Sequence, residues 1–239
     1  FTEAKVLGNW TGFSTKLYSS LFTGGMHHSL MNAIWNTFAI ATIAATASTL
    51  LGSLAAIGIF NLRSRARQVM NFTNAIPMMN ADIITGVSLF LLFVSFGISQ
   101  GFTTVVLAHI TFCTPYVVLS VMPRLKKMNQ NVYEAALDLG ASPSQALFKV
   151  VIPQIFTGIL SGFMLSVTLS LDDYIVTAFT KPKTFDTIST YVYNAVKNGT
   201  NSSTPALRAL SAIIFIIMIA AVLLINLRAG KKKKEAASR

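Results

Sequence analysis

Apolar residues in this sequence are gathered into long runs rather than alternating with polar residues. Charged, Asn-rich or Gly- and Pro-containing stretches separate the runs, each of which has about 20 residues. An α-helix rises about 1.5 Å per residue, so a run of that length spans the hydrocarbon core of a bilayer, about 30 Å. The pattern therefore predicts five membrane-spanning helices, at residues 35–60, 76–98, 102–122, 151–171 and 206–227.

The composition supports an all-α, polytopic membrane bundle. Hydrophobic residues make up 53% of the chain and charged residues only 11%, which leaves too little polar surface for a soluble domain of 239 residues. We expect an external N-terminal segment at 1–34, one membrane domain at 35–227 and a basic cytoplasmic tail at 228–239.

The formal charge of +11 is distributed unevenly between the two sides of the predicted bundle. Six cations fall on the side of the N-terminus and thirteen on the other side, and basic residues near span ends mark the cytoplasmic face. The N-terminus is therefore predicted to lie outside and the C-terminus in the cytoplasm, and the positive charge reflects topology rather than nucleic-acid binding. The thirteen are Arg63, Arg65, Arg67, Arg124, Lys126, Lys127, Lys149, Arg228, Lys231, Lys232, Lys233, Lys234 and Arg239.

The start of the chain suggests a further helix. An external N-terminus, no initial methionine and no charged and apolar leader before Phe1 lead us to expect that a first membrane span precedes this sequence.

The sequence offers no set of residues for catalysis or metal binding. A single cysteine, Cys113, lies in an apolar run, and three histidines, His27, His28 and His109, do not close a metal site. The phosphate-binding pattern G-x-x-x-x-G-K-[ST] is also absent from the sequence. We therefore expect a protein that is not an enzyme and binds no cofactor, with energy supplied by another chain.

The longest predicted cytoplasmic connection, at 123–153, reads as two short helices separated by a turn. Gly140 is suited to the left-handed residue that follows a helix end. Ser142 and Gln145 form a capping-box pattern with Pro143 at the first helical position. In the first short helix, the carboxylates of Glu134 and Asp138 are four residues apart and share one face.

This loop resembles the EAA motif of ABC (ATP-binding cassette) importer permeases. The motif has Glu-Ala-Ala, three residues, Gly, nine residues and Ile-x-Leu-Pro, and this chain meets the spacing at every position. The two departures, Val150 for Ile and Ile152 for Leu, are apolar for apolar. The matching residues are Glu134, Ala135, Ala136, Gly140 and Pro153.

The resemblance implies a fold, a role and partners. It implies the type I importer permease fold in a bacterial inner membrane and, for Glu134, Ala135, Ala136, Asp138, Gly140 and Pro153, a coupling helix that docks on an ATPase subunit. It also implies a second permease subunit, two ATP-binding cassettes that hold ATP and Mg²⁺, and an external substrate-binding protein. Segments at 10–18, 80–84 and 171–174 are similar to the second permease subunits of spermidine/putrescine importers, which have six spans.

Three of the eight acidic residues lie in or at the edge of predicted spans. A carboxylate at the middle of a span costs roughly 2.5–3.5 kcal/mol, so such residues usually face a cavity, a partner or water. Polyamines carry several cationic amines, which carboxylates spaced along a transport path can bind through charge-assisted hydrogen bonds. The candidate substrate-path residues are Asp82, Asp172, Asp173 and the neighbouring Tyr174, whose ring can contact a cation. Asp82 also suits the start of a helix, which favours a structural role for it. Asp172 and Asp173 follow Ser166, Thr168 and Ser170, which we expect to form a polar stripe.

Two other functions remain open on the sequence alone. One is an importer for another small solute, such as an amino acid, iron or a phosphonate. The other is a membrane channel or scaffold without an ATPase partner, which would have no need for a docking loop at this spacing.

Overall fold

A computed structural model of the chain describes residues 27–129 and 131–197, and these residues are almost entirely helical, with no strand among them. The predicted fifth span (206–227), the basic tail and the first 26 residues of the external segment lie outside the described residues. The helices are α1 His27–Asn61, α2 Ser64–Met79, α3 Asp82–Ser95, α4 Phe102–Lys127, α5 Asn131–Asp138, α6 Pro143–Ala146, α7 Ile152–Asp172, α8 Ile175–Thr180 and α9 Ile188–Lys197, with a π-helix at Leu147–Val151.

Three of the described helical segments are long and apolar enough to cross a membrane: Ser29–Asn61, Phe102–Lys127 and Pro143–Asp172. They coincide with the first, third and fourth predicted spans. The number of spans rises to four in the described part if the bent pair α2 and α3 counts as one.

The second predicted span, 76–98, is not one continuous helix. The chain bends by 101° between Ser64–Met79 and Asp82–Ser95. Asn80 and Ala81 are extended, with φ/ψ of −74°/146° and −64°/139°, and Pro77 in the preceding turn cannot donate a helical hydrogen bond. The hydropathy run crosses this break because Ile76, Met78 and Met79 are as apolar as the helix that follows.

Residues Asn32–Thr190 form one compact unit. The rest, Phe1–Met31 and Tyr191–Arg239, forms another, of which the structure describes only 27–31 and 191–197. The core of the first unit joins α1, α4 and the start of α7. Its buried members are Ala56, Ile59, Phe60, Val117, Val118, Val121, Met122, Leu125, Val151 and Ile155.

Small residues let α7 approach α4 closely. Gly158 and Gly162 are four residues apart on one face of α7, and both are buried. A Cβ added at Gly158 would lie 3.1 Å from the Ser120 carbonyl oxygen, and one at Gly162 would lie 3.1 Å from Val117 Cγ1. This is the small-xxx-small packing used where lipid supplies no hydrophobic force between helices.

Candidate functional site

The loop between α4 and α7 presents α5 as a short exposed helix. Glu134, Ala135 and Asp138 are exposed and Ala136 is half-buried. The two carboxylates lie on one exposed side of α5, as their spacing predicts. The exposed side of this helix therefore carries small and acidic side chains.

The turn after α5 has the geometry that its sequence predicts. Gly140 has φ of +84°, its amide donates to the Leu137 carbonyl oxygen at 2.9 Å, and the Ala141 amide donates to the Ala136 carbonyl oxygen at 3.1 Å. This pair of bonds is a Schellman motif, which ends a helix through a left-handed residue. The turn is thus fixed by backbone hydrogen bonds.

The second short helix begins with the predicted capping box. The Gln145 amide donates to Ser142 Oγ at 3.3 Å, and the Ser142 amide donates to Gln145 Oε1 at 3.1 Å. Pro143 occupies the first turn. The two short helices predicted for this connection are confirmed.

The loop continues into α7 without a break. The π-helix Leu147–Val151 follows α6 directly, and α7 starts at Ile152, with Pro153 exposed in its first turn. Val151 and Ile155 at this junction are buried in the main core. The loop is therefore continuous with α7 and anchored in the main core at this junction.

Two large apolar side chains at the loop face solvent in this chain. Leu139 is 88% exposed and Phe148 is 67% exposed. Leu139 directly follows α5 and Phe148 lies in the π-helix, so the exposed surface of the loop is apolar as well as acidic.

Asp82 occupies the first position of α3 and is exposed. The first turn of a helix favours a carboxylate because the backbone amides there are unpaired. This placement agrees with the structural role expected for Asp82.

The adjacent aspartates Asp172 and Asp173 have different surroundings. Asp172 ends α7 and is exposed, whereas the Asp173 side chain is 8% exposed. Asp173 accepts hydrogen bonds from the Val176 amide at 3.2 Å and from the Thr177 amide at 2.8 Å. Asp173 therefore caps the short helix α8, and only Asp172 presents its carboxylate at the surface of this chain.

The residue after them, Tyr174, lies in the link between α7 and α8 and is half-buried. Its side chain is thus only partly accessible.

The predicted polar stripe on α7 divides between two faces. Ser166 and Ser170 are buried, while Thr168 is exposed and its hydroxyl donates to the Met164 carbonyl oxygen at 2.9 Å. Residues two apart on a helix differ by about 200° in direction, so the three cannot share a face. Thr168 and Asp172, four residues apart, remain together on the exposed side.

His109, which the sequence left without a role, joins the buried face of α7. Its Nδ1 lies 2.7 Å from Ser170 Oγ, and its Nε2 lies 2.9 Å from Thr177 Oγ1 and 3.5 Å from Asp173 Oδ2. The side chain is 1% exposed. A histidine in an apolar span was the only sign of this arrangement in the sequence. Its partners could not be identified there, because they lie 61 and 68 residues away along the chain.

No group of three or more His, Cys, Asp or Glu side chains in 27–129 and 131–197 is arranged to hold a metal ion.

Residues 48–229 match the family described as binding-protein-dependent transport system inner membrane component. The spermidine/putrescine transport system permease protein PotC of Haemophilus influenzae is 37% identical over 219 residues, which are 92% of this chain and 83% of that protein. PotC of Escherichia coli K12 is 36% identical over 98% of this chain and 86% of its own length. The putrescine transport system permease protein PotI of the same strain is 35% identical over 90% of this chain and 76% of its own length.

Solved structures with the same fold are ABC transporters. The inward-facing MetNI methionine ABC transporter matches with a TM-score of 0.68 and 17% identity, over 85% of this chain and 98% of that chain. A bacterial ABC transporter involved in the import of the acidic polysaccharide alginate matches with a TM-score of 0.70 and 15% identity, over 91% of this chain and 85% of that chain. At these identities the likeness establishes the fold alone.

Proposed function

Because this chain belongs to the family of inner membrane components of binding-protein-dependent transport systems, we propose that it forms the translocation pathway of an ATP-driven polyamine importer, together with partner subunits. The chain has the fold of type I ABC importer permeases and is a multi-pass inner membrane permease by homology. The observation that carries the substrate class is the 37% identity to a spermidine/putrescine permease over 92% of this chain.

The relatives are transport permeases rather than enzymes. In our proposal ATP and Mg²⁺ are held by two cassette subunits, a second permease completes the pore, and an external binding protein delivers the polyamine. The N-terminus of this chain lies outside and its C-terminus in the cytoplasm, as the distribution of basic residues indicates.

The α5 helix is proposed to be the docking element for a cassette. Glu134, Ala135 and Asp138 are exposed on it, and Leu139 next to it is 88% exposed. The Schellman turn at Gly140 fixes the angle between α5 and α6. Since α6 continues through the π-helix into α7, closure of the cassettes would move α7 as a lever.

The far end of the same helix carries the proposed substrate contact. Asp172 is exposed there, one turn beyond the exposed Thr168. A carboxylate in a membrane cavity of low dielectric attracts a protonated amine more strongly than one in water. Helix α7 thus links the docking loop at one end to a cation-attracting face at the other.

Uptake of labelled spermidine tests this function in cells that lack their own polyamine importers and express the full-length subunit with its operon partners. We expect uptake with the native chain and loss of uptake with Glu134→Arg, because the reversed charge removes the acidic contact on α5. The matched control is Asn61→Arg, which adds a cation at an exposed position at the end of α1, outside α5.

The outcomes separate the parts of the proposal. Absence of polyamine uptake by an assembled native complex overturns the substrate class and leaves the permease fold. Full uptake with Glu134→Arg overturns the role of α5 in coupling.

A further inference from the structure

Four buried or nearly buried side chains form one continuous hydrogen-bonded chain between α4, α7 and α8. Ser170 Oγ lies 2.7 Å from His109 Nδ1, His109 Nε2 lies 2.9 Å from Thr177 Oγ1, and Thr177 Oγ1 donates to Asp173 Oδ2 at 2.7 Å. We refer to these residues, Ser170, His109, Thr177 and Asp173, as the His109 chain.

The hydrogen bonds of the His109 chain run in one direction. The Thr177 hydroxyl hydrogen is committed to the Asp173 carboxylate, which only accepts. Thr177 Oγ1 must then accept from His109, so the Nε2 of His109 carries a hydrogen. In a neutral imidazole with its hydrogen on Nε2, Nδ1 accepts from the Ser170 hydroxyl, and each bond polarises the next. The imidazole thus serves as one donor and one acceptor.

The His109 chain fastens one end of α8, and other residues fasten its opposite end. The Thr180 carbonyl oxygen accepts from Thr104 Oγ1 at 2.9 Å, and the Phe179 carbonyl oxygen accepts from Gln100 Nε2 at 2.9 Å. Thr104 and His109 both belong to α4. The short helix α8 is therefore tied to α4 at both termini through polar groups rather than by apolar packing alone.

The His109 chain also holds the last turn of α7, through Ser170, and this bears on the direction of Asp172. Asp172 is the last residue of α7, and the backbone becomes extended at Asp173, with φ/ψ of −65° and 126°. Ser170, which bonds to His109, lies two residues before Asp172 in α7, so the two side chains point about 200° apart, and holding Ser170 inward keeps Asp172 on the exposed face with Thr168.

We propose that His109 is a positioning residue of the transport cycle: through Ser170, Thr177 and Asp173 it holds α8 on α4 and thereby presents Asp172 to the cationic substrate. This inference rests on the proposed function for its consequence in uptake. The positioning itself is a property of this chain and is measurable without any substrate.

The first test measures uptake per assembled complex, so that a change in abundance does not enter the result. His109→Leu removes both hydrogen bonds, and we expect uptake per complex to fall about tenfold or more. His109→Gln supplies one acceptor and one donor, and we expect it to keep at least about half of the native rate. Cys113→Ala is the control, since Cys113 is buried one turn further along α4 and its Sγ donates to the Ser166 carbonyl oxygen in α7 at 3.7 Å, outside the hydrogen bonds of the His109 chain.

The second test reports the position of residue 172 directly. Cys113 is the single cysteine of the chain, so Asp172→Cys in a Cys113→Ala background gives one site for a membrane-impermeant cationic methanethiosulfonate. The complex is labelled intact, and this subunit is separated before detection. We expect His109→Leu to change the labelling rate at 172 about fivefold or more and His109→Gln to leave it within about twofold.

A second labelling site controls for general effects on the fold. Ser99→Cys lies at an exposed position between α3 and α4 and should label at the same rate in every His109 background. Equal rates at 172 with His109 and His109→Leu overturn the inference, as does a Gln variant as impaired as the Leu variant. A native complex that labels as expected and transports no polyamine supports the positioning and overturns the proposed function.

Discussion

Gly52 of α1 lies so close to Val117 of α4 that a side chain at Gly52 has no space. A Cβ added at Gly52 would lie 2.6 Å from Val117 Cβ and 3.1 Å from the Thr114 carbonyl oxygen. Val117 is fully buried in the main core and also faces Gly162 of α7. One β-branched residue of α4 is thus packed between glycines of two neighbouring helices.

Replacing Gly52 with alanine should destabilise the protein by about 1–3 kcal/mol, because the added methyl group meets atoms held by the α4 backbone. Thermal unfolding of the purified complex measures the effect. Gly58→Ala on the same helix is the matched control, since a Cβ there meets nothing within 4 Å. Equal melting temperatures for Gly52→Ala and Gly58→Ala would contradict the close contact between Gly52 and Val117.

Gly140 should tolerate alanine poorly for a different reason. Its φ of +84° lies in the left-handed region, where a residue with Cβ costs roughly 1–2 kcal/mol, and no neighbouring atom blocks the added group. We expect Gly140→Ala to disorder the turn after α5 and to lower retention of the ATPase subunit during purification, by roughly fivefold or more.

The control for Gly140 is Gly101→Ala. Gly101 has an extended backbone with φ of −169° and open space around it. Loss of ATPase retention with Gly101→Ala as well would show that the effect does not come from the left-handed turn.

Alanine substitutions should separate the two adjacent aspartates. Asp173→Ala removes the cap of α8 and should lower stability by about 0.5–2 kcal/mol, seen as a lower melting temperature. Asp172→Ala leaves those bonds in place, so we expect an unchanged melting temperature and reduced spermidine uptake. The reverse pattern would assign the substrate contact to Asp173.

The ion pair in the segment after α8 gives a further prediction. Lys181 Nζ lies 2.8 Å from Asp186 Oδ1, and the lysine side chain is 10% exposed. Asp186→Asn leaves a nearly buried ammonium without its counter-ion and should cost about 1–3 kcal/mol. Lys181→Met should cost less, because it removes the charge that needs a partner.

The Lys181→Met and Asp186→Asn double variant provides the check by thermal unfolding. If the two groups interact as the structure places them, its loss is smaller than the sum of the single losses. Additive losses would mean that the pair contributes no mutual stabilisation.

The structure of the loop between α4 and α7 was predictable from the sequence because the residues that determine it are close together along the chain. Gly140 forms a left-handed turn, and Ser142 and Gln145 form a capping box. In both features the bonded residues are at most five positions apart along the chain. The hydropathy runs gave α1, α4 and α7 for the same reason: their length and composition are visible in one window.

The buried arrangement around His109 was not predictable in this way. His109 meets Ser170 and Thr177 only after α4 and α7 pack, and that packing depends on Gly158 and Gly162. The prediction of one polar stripe on α7 was wrong, because Thr168 lies on the exposed face and Ser166 and Ser170 lie on the buried face. The break at Asn80 was lost because a hydropathy window averages across one polar residue.

The bend between α2 and α3 has a consequence for water. The last carbonyl groups of α2 and the first amides of α3 have no partner within their own helices, and hydrocarbon cannot solvate them. Asn80 and Ala81 are exposed on this chain. At membrane depth such a corner is tolerated only against protein or beside a water-filled cavity, so a bend placed there requires a neighbouring subunit or water to satisfy its backbone groups.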